Sequence, residues 1–185
     1  MKFVLSIDVG IINLGYVFAE LDTSIVVKQC NKVDITKMRH RTVSYCNCKL
    51  HHDFCIPDYI DHFIQEHYYL FEQADIILIE RQPPVGITNV QDLLFSKFRD
   101  KVKLISPNAV HKFFKMDKDY ETRKIESNTI GLEYLTHFEN YHNYERKHDI
   151  SDALLLVLYY FKTLPPPKKP NIIVDDFEQF RFIKA

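Results

Sequence analysis

The chain has 185 residues, of which 46% are hydrophobic, so it can bury one sizeable core but not two of ordinary domain size. Its 24 lysine and arginine residues against 25 aspartate and glutamate residues give a formal net charge of −1. A protein that neutralises phosphates with clustered basic residues normally carries more positive charge. Nucleic acid is nevertheless not excluded as a ligand, because cations held by acidic side chains would change the local charge.

No apolar stretch reaches the ~20 residues that a membrane helix needs, since even 153–161 is followed by Lys162 and Pro165. The N-terminal apolar run is too short for a signal peptide and is interrupted by Asp8. We therefore expect a cytoplasmic protein with no membrane partner, in which disulfides are not favoured.

Four extended segments are predicted in the first half of the chain. Residues 3–7 are a compact apolar run, residues 15–21 resume an extended pattern after a short turn, and residues 24–33 carry β-branched side chains. We interpret 3–7 and 15–21 as strands paired in a hairpin. The aliphatic run at 76–79, which ends at Glu80, is typical of a buried central strand.

Helical periodicity alternates with these strands. Residues 58–74 carry apolar side chains at helical intervals, with Asp58 as the expected N-cap. The remaining predicted elements are a helix over 91–98, a strand over 102–105 and helices over 107–114, 122–138 and 149–162. This alternation predicts an α/β fold with a mixed β-sheet flanked by helices on both faces. We expect one domain over 1–164, followed over 165–185 by a proline-rich spacer and a C-terminal appendage.

Four carboxylates stand at the ends of predicted elements: Asp8 after the first strand, Glu80 after the aliphatic strand, and Asp149 and Asp152 in the first turn of the last helix. The i, i+3 spacing of the last two places them on one helix face. Acids at the tips of neighbouring strands, faced by such a helix, can converge on hard cations. Two Mg²⁺ ions roughly 3.5–4 Å apart would then activate a water and stabilise the leaving oxygen of a phosphodiester.

Taken singly, each acid also has an ordinary structural explanation. Asp8 is compatible with a turn and Glu80 with a solvent contact at a strand end. Asp149 is compatible with a helix N-cap, and Asp152 with a first-turn partner of the helix dipole. It is the combination of the four that favours a metal site.

The blocks around these acids resemble, in order, the three sequence blocks of the RuvC-type Holliday junction resolvases. They are Val-Leu-Ser-Ile-Asp-Val-Gly, Ile-Ile-Leu-Ile-Glu and Lys-His-Asp-Ile-Ser-Asp-Ala-Leu-Leu-Leu. The resemblance covers residues 1–164, and the poxvirus resolvases are the most similar in length and style. Bacterial members carry an aromatic residue three positions after the glutamate, where this chain has Pro83.

This resemblance implies an RNase H-like fold and a structure-selective endonuclease that makes paired symmetric nicks in four-way DNA junctions. Asp8, Glu80, Asp149 and Asp152 would be the catalytic metal ligands, with Mg²⁺ as cofactor and Mn²⁺ as a substitute. It also implies a homodimer, since two sites related by a two-fold axis can nick opposite strands. A poxvirus member would act on DNA in the host cytoplasm.

The resemblance further implies basic residues beyond the Glu80 strand. Lys112 and Lys124 match those positions, and Arg81 is a third candidate because it adjoins Glu80. All three are expected to hold DNA phosphates. Both lysines are equally compatible with an ordinary solvated helix face.

Residues 37–55 are rich in cysteine, histidine and basic side chains. Cys46, Cys48, His51 and Cys55 offer soft metal ligands, but the spacing lacks the paired C-x₂-C or H-x₃-H arrangement of common zinc sites. The sequence therefore does not favour zinc. The alternative is an insert whose lysines and arginines meet the DNA backbone.

Two other functions remain open from the sequence. One is an RNase H-like nuclease that acts on an RNA–DNA hybrid or a flap, because the active-site chemistry alone does not choose the substrate. The other is a non-catalytic module that binds branched DNA. The intact set of four carboxylates argues against this second alternative.

Overall fold

The computed structural model describes residues 1–40 and 55–164, which build a five-stranded sheet covered by helices. The strands are β1 (Lys2–Asp8), β2 (Leu14–Leu21), β3 (Ile25–Val33), β4 (Ile76–Glu80) and β5 (Val102–Ile105). They lie in the order β3-β2-β1-β4-β5. The β1–β2 and β2–β3 pairs are antiparallel, whereas β1–β4 and β4–β5 are parallel, so the sheet is mixed as predicted.

The helices of the described residues follow and separate these strands. They are a 3-10 helix (Ile35–His40), α1 (Ile56–Glu66), α2 (Tyr68–Gln73), α3 (Thr88–Lys97), α4 (Pro107–Phe114), α5 (Tyr120–Leu135), α6 (Glu139–Asn143) and α7 (His148–Thr163). Helices α1 to α3 pack on one face of the sheet, and α7 packs on the other with α5 against it. Helices therefore cover both faces, which confirms the predicted architecture.

The side chains of the central strand β1 contribute alternately to two hydrophobic cores, one on each face of the sheet. Leu5 and Ile7 join the core beneath α1, α2 and α3, whereas Val4 joins the core beneath α7. Because successive side chains of a strand point to opposite faces, an uninterrupted apolar strand must be covered on both. Each such fully buried aliphatic side chain contributes about 1.5–3 kcal/mol to folding.

The structure corrects three details of the predicted elements. The helix expected over 58–74 is two helices, α1 and α2, which meet at His67. The expected N-cap Asp58 lies inside the first turn, because α1 starts at Ile56 with Cys55 as its N-cap and proline in the first turn, where a fixed φ suits a helix start. Helix α6 was not predicted.

Helix α7 is fixed across the ends of β1 and β2. Ser6 Oγ donates a buried hydrogen bond of 2.7 Å to the carbonyl oxygen of Ala153. In the β1–β2 pairing Gly15 stands opposite Asp8, and a Cβ atom at Gly15 would overlap the backbone carbonyl of Asp149. The missing side chain thus lets the first turn of α7 approach the end of β1.

We predict that Gly15→Ala lowers the free energy of unfolding by about 1–3 kcal/mol, because the added methyl group must push α7 away from the sheet. Urea denaturation of the wild type and the variant measures this difference. Gly86→Ala, in an exposed turn where the new Cβ would touch mainly the side chains of Pro83 and Gln82, is the matched control and should change stability less. Equal stability of Gly15→Ala and the wild type would contradict this account of the close approach.

Within 1–40 and 55–164, no helix is long and apolar enough to cross a membrane. The predicted spacer and appendage at 165–185 lie outside the described residues, as do Cys46, Cys48 and His51 of the cysteine- and histidine-rich segment. Cys55, the last residue of that segment, is described at the start of α1.

Candidate active site

A cleft of about 470 Å³ lies where the carboxyl ends of β1 and β4 meet the first turn of α7. Strands β1 and β4 are adjacent and parallel, so their final residues reach the same edge of the sheet. All four predicted carboxylates line this cleft: Asp8, Glu80, Asp149 and Asp152. Residues that are 144 positions apart in the chain, Asp8 and Asp152, thus share one cavity.

Asp8 and Glu80 form the innermost pair. Burial and the nearby carboxylates of Glu80, Asp152 and Asp149 raise the pKa of Asp8 well above its usual range. Burial likewise raises the pKa of Glu80, although hydrogen bonds with Asp8 and Gln82 oppose that rise. The hydrogen bond between the two carboxyl groups itself raises the pKa of Asp8 and lowers that of Glu80.

Gln82 holds Glu80 in place from the strand end. Its Nε2 donates to Glu80 Oε2 at 3.0 Å, and its backbone N–H donates to Oε1 of the buried Gln91 in α3 at 2.7 Å. Gln82 thus connects the side chain of Glu80 to α3, which packs on the face of the sheet opposite α7.

Asp152 is the third carboxylate of the cluster. Burial, together with the charges of Glu80 and Asp149, raises the pKa of Asp152 to about 7. Ser127 Oγ, on α5, donates to Asp152 Oδ1 and favours the ionised form. The carboxylate is thus oriented by α5 but poorly solvated.

Asp149 differs from the other three because it has a cationic partner. Arg146 donates from Nε and from one terminal nitrogen to the two carboxylate oxygens, each at 3.1 Å. His148 Nε2 lies 3.4 Å from Asp149 Oδ1. This bidentate pair engages both oxygens of Asp149, so Arg146 competes with a cation for that carboxylate.

The four carboxylates are chemically suitable ligands for a hard divalent cation. Carboxylate oxygens are the ligands that Mg²⁺ and Mn²⁺ prefer, and a cation would stabilise the charged forms that burial disfavours at Asp8, Glu80 and Asp152. The four oxygen donors are not gathered into a closed coordination shell, however. Among residues 1–40 and 55–164, no three acidic, histidine or cysteine side chains stand at metal-binding spacing. Cation binding therefore requires the side chains to converge, and at Asp149 the cation competes with Arg146.

These shifted pKa values predict a pH dependence of stability. An acid whose pKa is raised on folding destabilises the fold progressively as the pH rises from its unfolded value, near 4, through its folded value, about 7 for Asp152. In EDTA, the melting temperature of the wild type should therefore fall relative to that of Asp152→Asn between pH 5 and pH 8. Comparing the two proteins cancels the opposite contribution of buried histidines such as His67, whose pKa burial lowers. A difference that stays constant across this range would contradict the raised pKa.

The predicted basic residues are placed differently from one another. Lys124 lines the cleft, with Nζ 3.9 Å from the centroid of the Tyr120 ring and 3.6 Å from Glu121 Oε1. Lys112, in the last turn of α4, and Arg81, after β4, are exposed and do not line it. The structure therefore brings one of the three to the carboxylates.

Sequence reasoning did not single out several other cleft residues: His111, Tyr120, Arg123, Arg146 and His148. The Arg146-to-Asp149 spacing of three residues was visible in the sequence, but Arg146 precedes the helix, so periodicity gave no reason to orient it toward Asp149. Arg123 adjoins Lys124 at the start of α5 and adds a second cation to this wall of the cleft.

A family model described as "Poxvirus A22 protein" matches residues 2–163, almost the whole described domain. The chain belongs to the poxvirus A22 protein family. The resemblance to poxvirus resolvases that the three sequence blocks suggested is thereby confirmed. Among curated protein sequences, none matches the chain significantly.

Solved structures share the fold of this family member at low sequence identity. A fowlpox virus resolvase in complex with Holliday junction DNA is 17% identical, with a TM-score of 0.63 over 86% of this chain and 97% of that one. The yeast mitochondrial Holliday junction resolvase Ydc2 is 16% identical, with a TM-score of 0.57 over 86% and 78%. RuvC of T. thermophilus, with its junction substrate, is 15% identical, with a TM-score of 0.51 over 86% and 92%. These likenesses confirm the predicted RNase H-like fold.

Proposed function

We propose that this poxvirus A22 family member is a Holliday junction resolvase, an endonuclease that makes paired symmetric nicks in four-way DNA junctions. The observation that carries this proposal is the meeting of Asp8, Glu80, Asp149 and Asp152 in one cleft beside Arg123 and Lys124. Family membership and the fold shared with junction resolvases support the choice of substrate.

Asp8, Glu80 and Asp152 would hold the divalent cations, Mg²⁺ or Mn²⁺, with Asp149 joining them once Arg146 moves away. Cations bound there supply Lewis acidity to the water nucleophile and to the leaving oxygen of the phosphodiester. Gln82 and Ser127 keep Glu80 and Asp152 oriented through their hydrogen bonds. Freed from Asp149, Arg146 becomes available to the phosphate, and Arg123 and Lys124 line the same cleft.

The proposed function also implies how the protein assembles and where in the cell it acts. A homodimer would present two clefts to opposite strands of a symmetric junction, which one copy cannot do in a single encounter. Residues 1–164 would form the catalytic domain and 165–185 the spacer and appendage. A viral enzyme of this type would act in the host cytoplasm.

Cleavage assays on three labelled substrates test the proposed function: a four-way junction, an RNA–DNA hybrid duplex and a flap. We expect the junction to be cut in preference to the other two, with nicks at symmetric positions in opposing strands. Preferential cleavage of the hybrid or the flap would instead identify a different nuclease of the same fold. Junction binding without cleavage in any divalent cation would identify a non-catalytic binding module.

Lys124 should contribute one phosphate contact. We predict that Lys124→Met weakens junction binding and reduces the slope of log K against log salt by about 0.9, because one fewer counterion is released. Binding is measured by titration at several salt concentrations in Ca²⁺. The exposed Lys2, at the start of β1 and therefore far from its carboxyl end, provides the control variant Lys2→Met.

The same titration tests the two exposed candidates. Lys112→Met and Arg81→Met should each reduce the slope if the DNA extends beyond the cleft over α4 and the end of β4. A slope equal to that of Lys2→Met would remove the residue concerned from the proposed DNA surface.

A further inference from the structure

A second cleft, of about 270 Å³, opens beside the active site, at the end of β3. It is lined by Asn31, Lys32, Val33, Asp34, Lys37, Glu66, His67 and Tyr144. Apart from Lys37, which begins the basic segment over 37–55, none of these residues belongs to the carboxylate site or to the basic residues considered above. The question is what this neighbouring cleft binds.

The strand register places Lys32 level with Asp8 across the sheet, two strands away. Asp8 pairs with Gly15, and Gly15 pairs with Lys32. Because neighbouring strands are about 4.8 Å apart, the Cα atoms of Asp8 and Lys32 are separated by roughly 10 Å. Because a DNA strand winds around its axis, successive phosphates are further apart than the axial rise of about 3.4 Å, and that separation corresponds to about one to two nucleotides.

Lys32 stands on the boundary between the two clefts. Its Nζ donates to Asn13 Oδ1 at 3.0 Å, and Asn13 lines the active-site cleft. On the other side, Nζ lies 5.5 Å from the centroid of the Tyr144 ring, which lines the second cleft. Tyr144 and Arg146, two residues apart in the connection between α6 and α7, thus border the second and first clefts respectively.

The ammonium group of Lys32 is held by neutral partners. Two lysines near it in the chain are paired with carboxylates: Lys28 with Glu20 at 2.7 Å and Lys37 with Asp34 at 3.1 Å. Among the described residues, no carboxylate forms an ion pair with Lys32. An amide oxygen and an aromatic ring orient its charge but leave it to be neutralised by an external anion.

We propose that Lys32 is a backbone-phosphate subsite, which holds the DNA strand about one to two nucleotides from the phosphate that is cut at Asp8 and Glu80. The ligand class is a nucleic-acid phosphodiester. The subsite rests on the proposed function for the identity of the strand, but the contact itself is to phosphate and does not depend on the junction. Its role is to position the strand: Lys32 fixes the register in which the phosphodiester enters the carboxylate cleft.

The test compares Lys32→Met with the wild type in salt titrations, using both a four-way junction and a plain duplex in Ca²⁺. Methionine keeps an unbranched side chain against Tyr144 but removes the charge and the hydrogen bond to Asn13. We expect the slope of log K against log salt to fall by about 0.9 with both DNAs. Lys28→Met, on the same strand but paired with Glu20, is the control and should leave the slope unchanged. Lys32→Arg should retain the wild-type slope, which separates loss of charge from misfolding.

A second measurement locates the phosphate. Single neutral methylphosphonates, placed at successive positions around the cleavage site, should each weaken wild-type binding where a cation touches the strand. One position, about one to two nucleotides from the cut, should weaken the wild type but leave Lys32→Met unaffected. Unchanged slopes in Lys32→Met, or equal losses for both proteins at every position, would overturn the subsite. Failure of the wild type to prefer the junction would instead overturn the proposed substrate, and the duplex titration would still decide on Lys32.

Discussion

Replacement of any of the four cleft carboxylates should lower junction cleavage at least ~100-fold while leaving junction binding measurable. The variants are Asp8→Asn, Glu80→Gln, Asp149→Asn and Asp152→Asn. Each keeps the size of the side chain but removes a negative oxygen ligand, so the cation that stabilises the transition state is lost. Single-turnover cleavage rates and binding titrations, made on the same preparations, separate the two effects.

The burial of these acids also predicts how the variants change in stability, which separates loss of catalysis from unfolding. Because burial raises the pKa values of Asp8, Glu80 and Asp152, their neutral variants should be at least as stable as the wild type in EDTA. Inactivity would then not reflect unfolding. Asp100→Asn, in the exposed turn before β5, is the control and should cleave normally. A cleft variant with near-wild-type turnover would remove that residue from the catalytic set.

Removal of divalent cations should abolish cleavage completely, and Mg²⁺ or Mn²⁺ should restore it. Both cations accept the near-octahedral oxygen coordination that carboxylates and phosphate can complete together. Ca²⁺, with its larger and looser coordination sphere, should support junction binding without turnover. The measurement is a cleavage time course after EDTA dialysis, repeated with each cation.

Arg146 offers an independent check on this cation requirement. Because its guanidinium occupies both oxygens of Asp149, Arg146→Gln should free Asp149 and lower the Mg²⁺ concentration needed for half-maximal cation binding. The wild type, measured by calorimetry without DNA, is the reference. Cleavage that persists after complete chelation would contradict cation catalysis altogether.

Much of the site could be predicted because it is built on strongly patterned elements. The aliphatic run before Glu80 and the apolar face of the last helix identified β4 and α7, and both occur within a residue or two of the expected bounds. Parallel pairing of β1 with β4 then required Asp8 and Glu80 to meet at one edge. Local pattern and topology thus sufficed to gather the four carboxylates.

The rest depended on contacts that no periodicity encodes. Gly15 is required by a backbone approach between β2 and α7, which becomes visible only when the two are packed together. Arg146 acts from the irregular connection before α7, and Lys32 from a strand whose register with Asp8 passes through β2. The break between α1 and α2 at His67 was also hidden, because apolar residues continue at helical spacing across it.

The most direct test is the anomalous scattering of Mn²⁺ in crystals of the protein grown at neutral pH. The account predicts Mn²⁺ in the cleft between Asp8, Glu80 and Asp152, with Arg146 withdrawn from Asp149 wherever Asp149 joins the coordination. Crystals of Asp8→Asn should lose that signal. Mn²⁺ bound elsewhere, or an unoccupied cleft under conditions in which the same protein cleaves a junction, would contradict a cation site formed by these carboxylates.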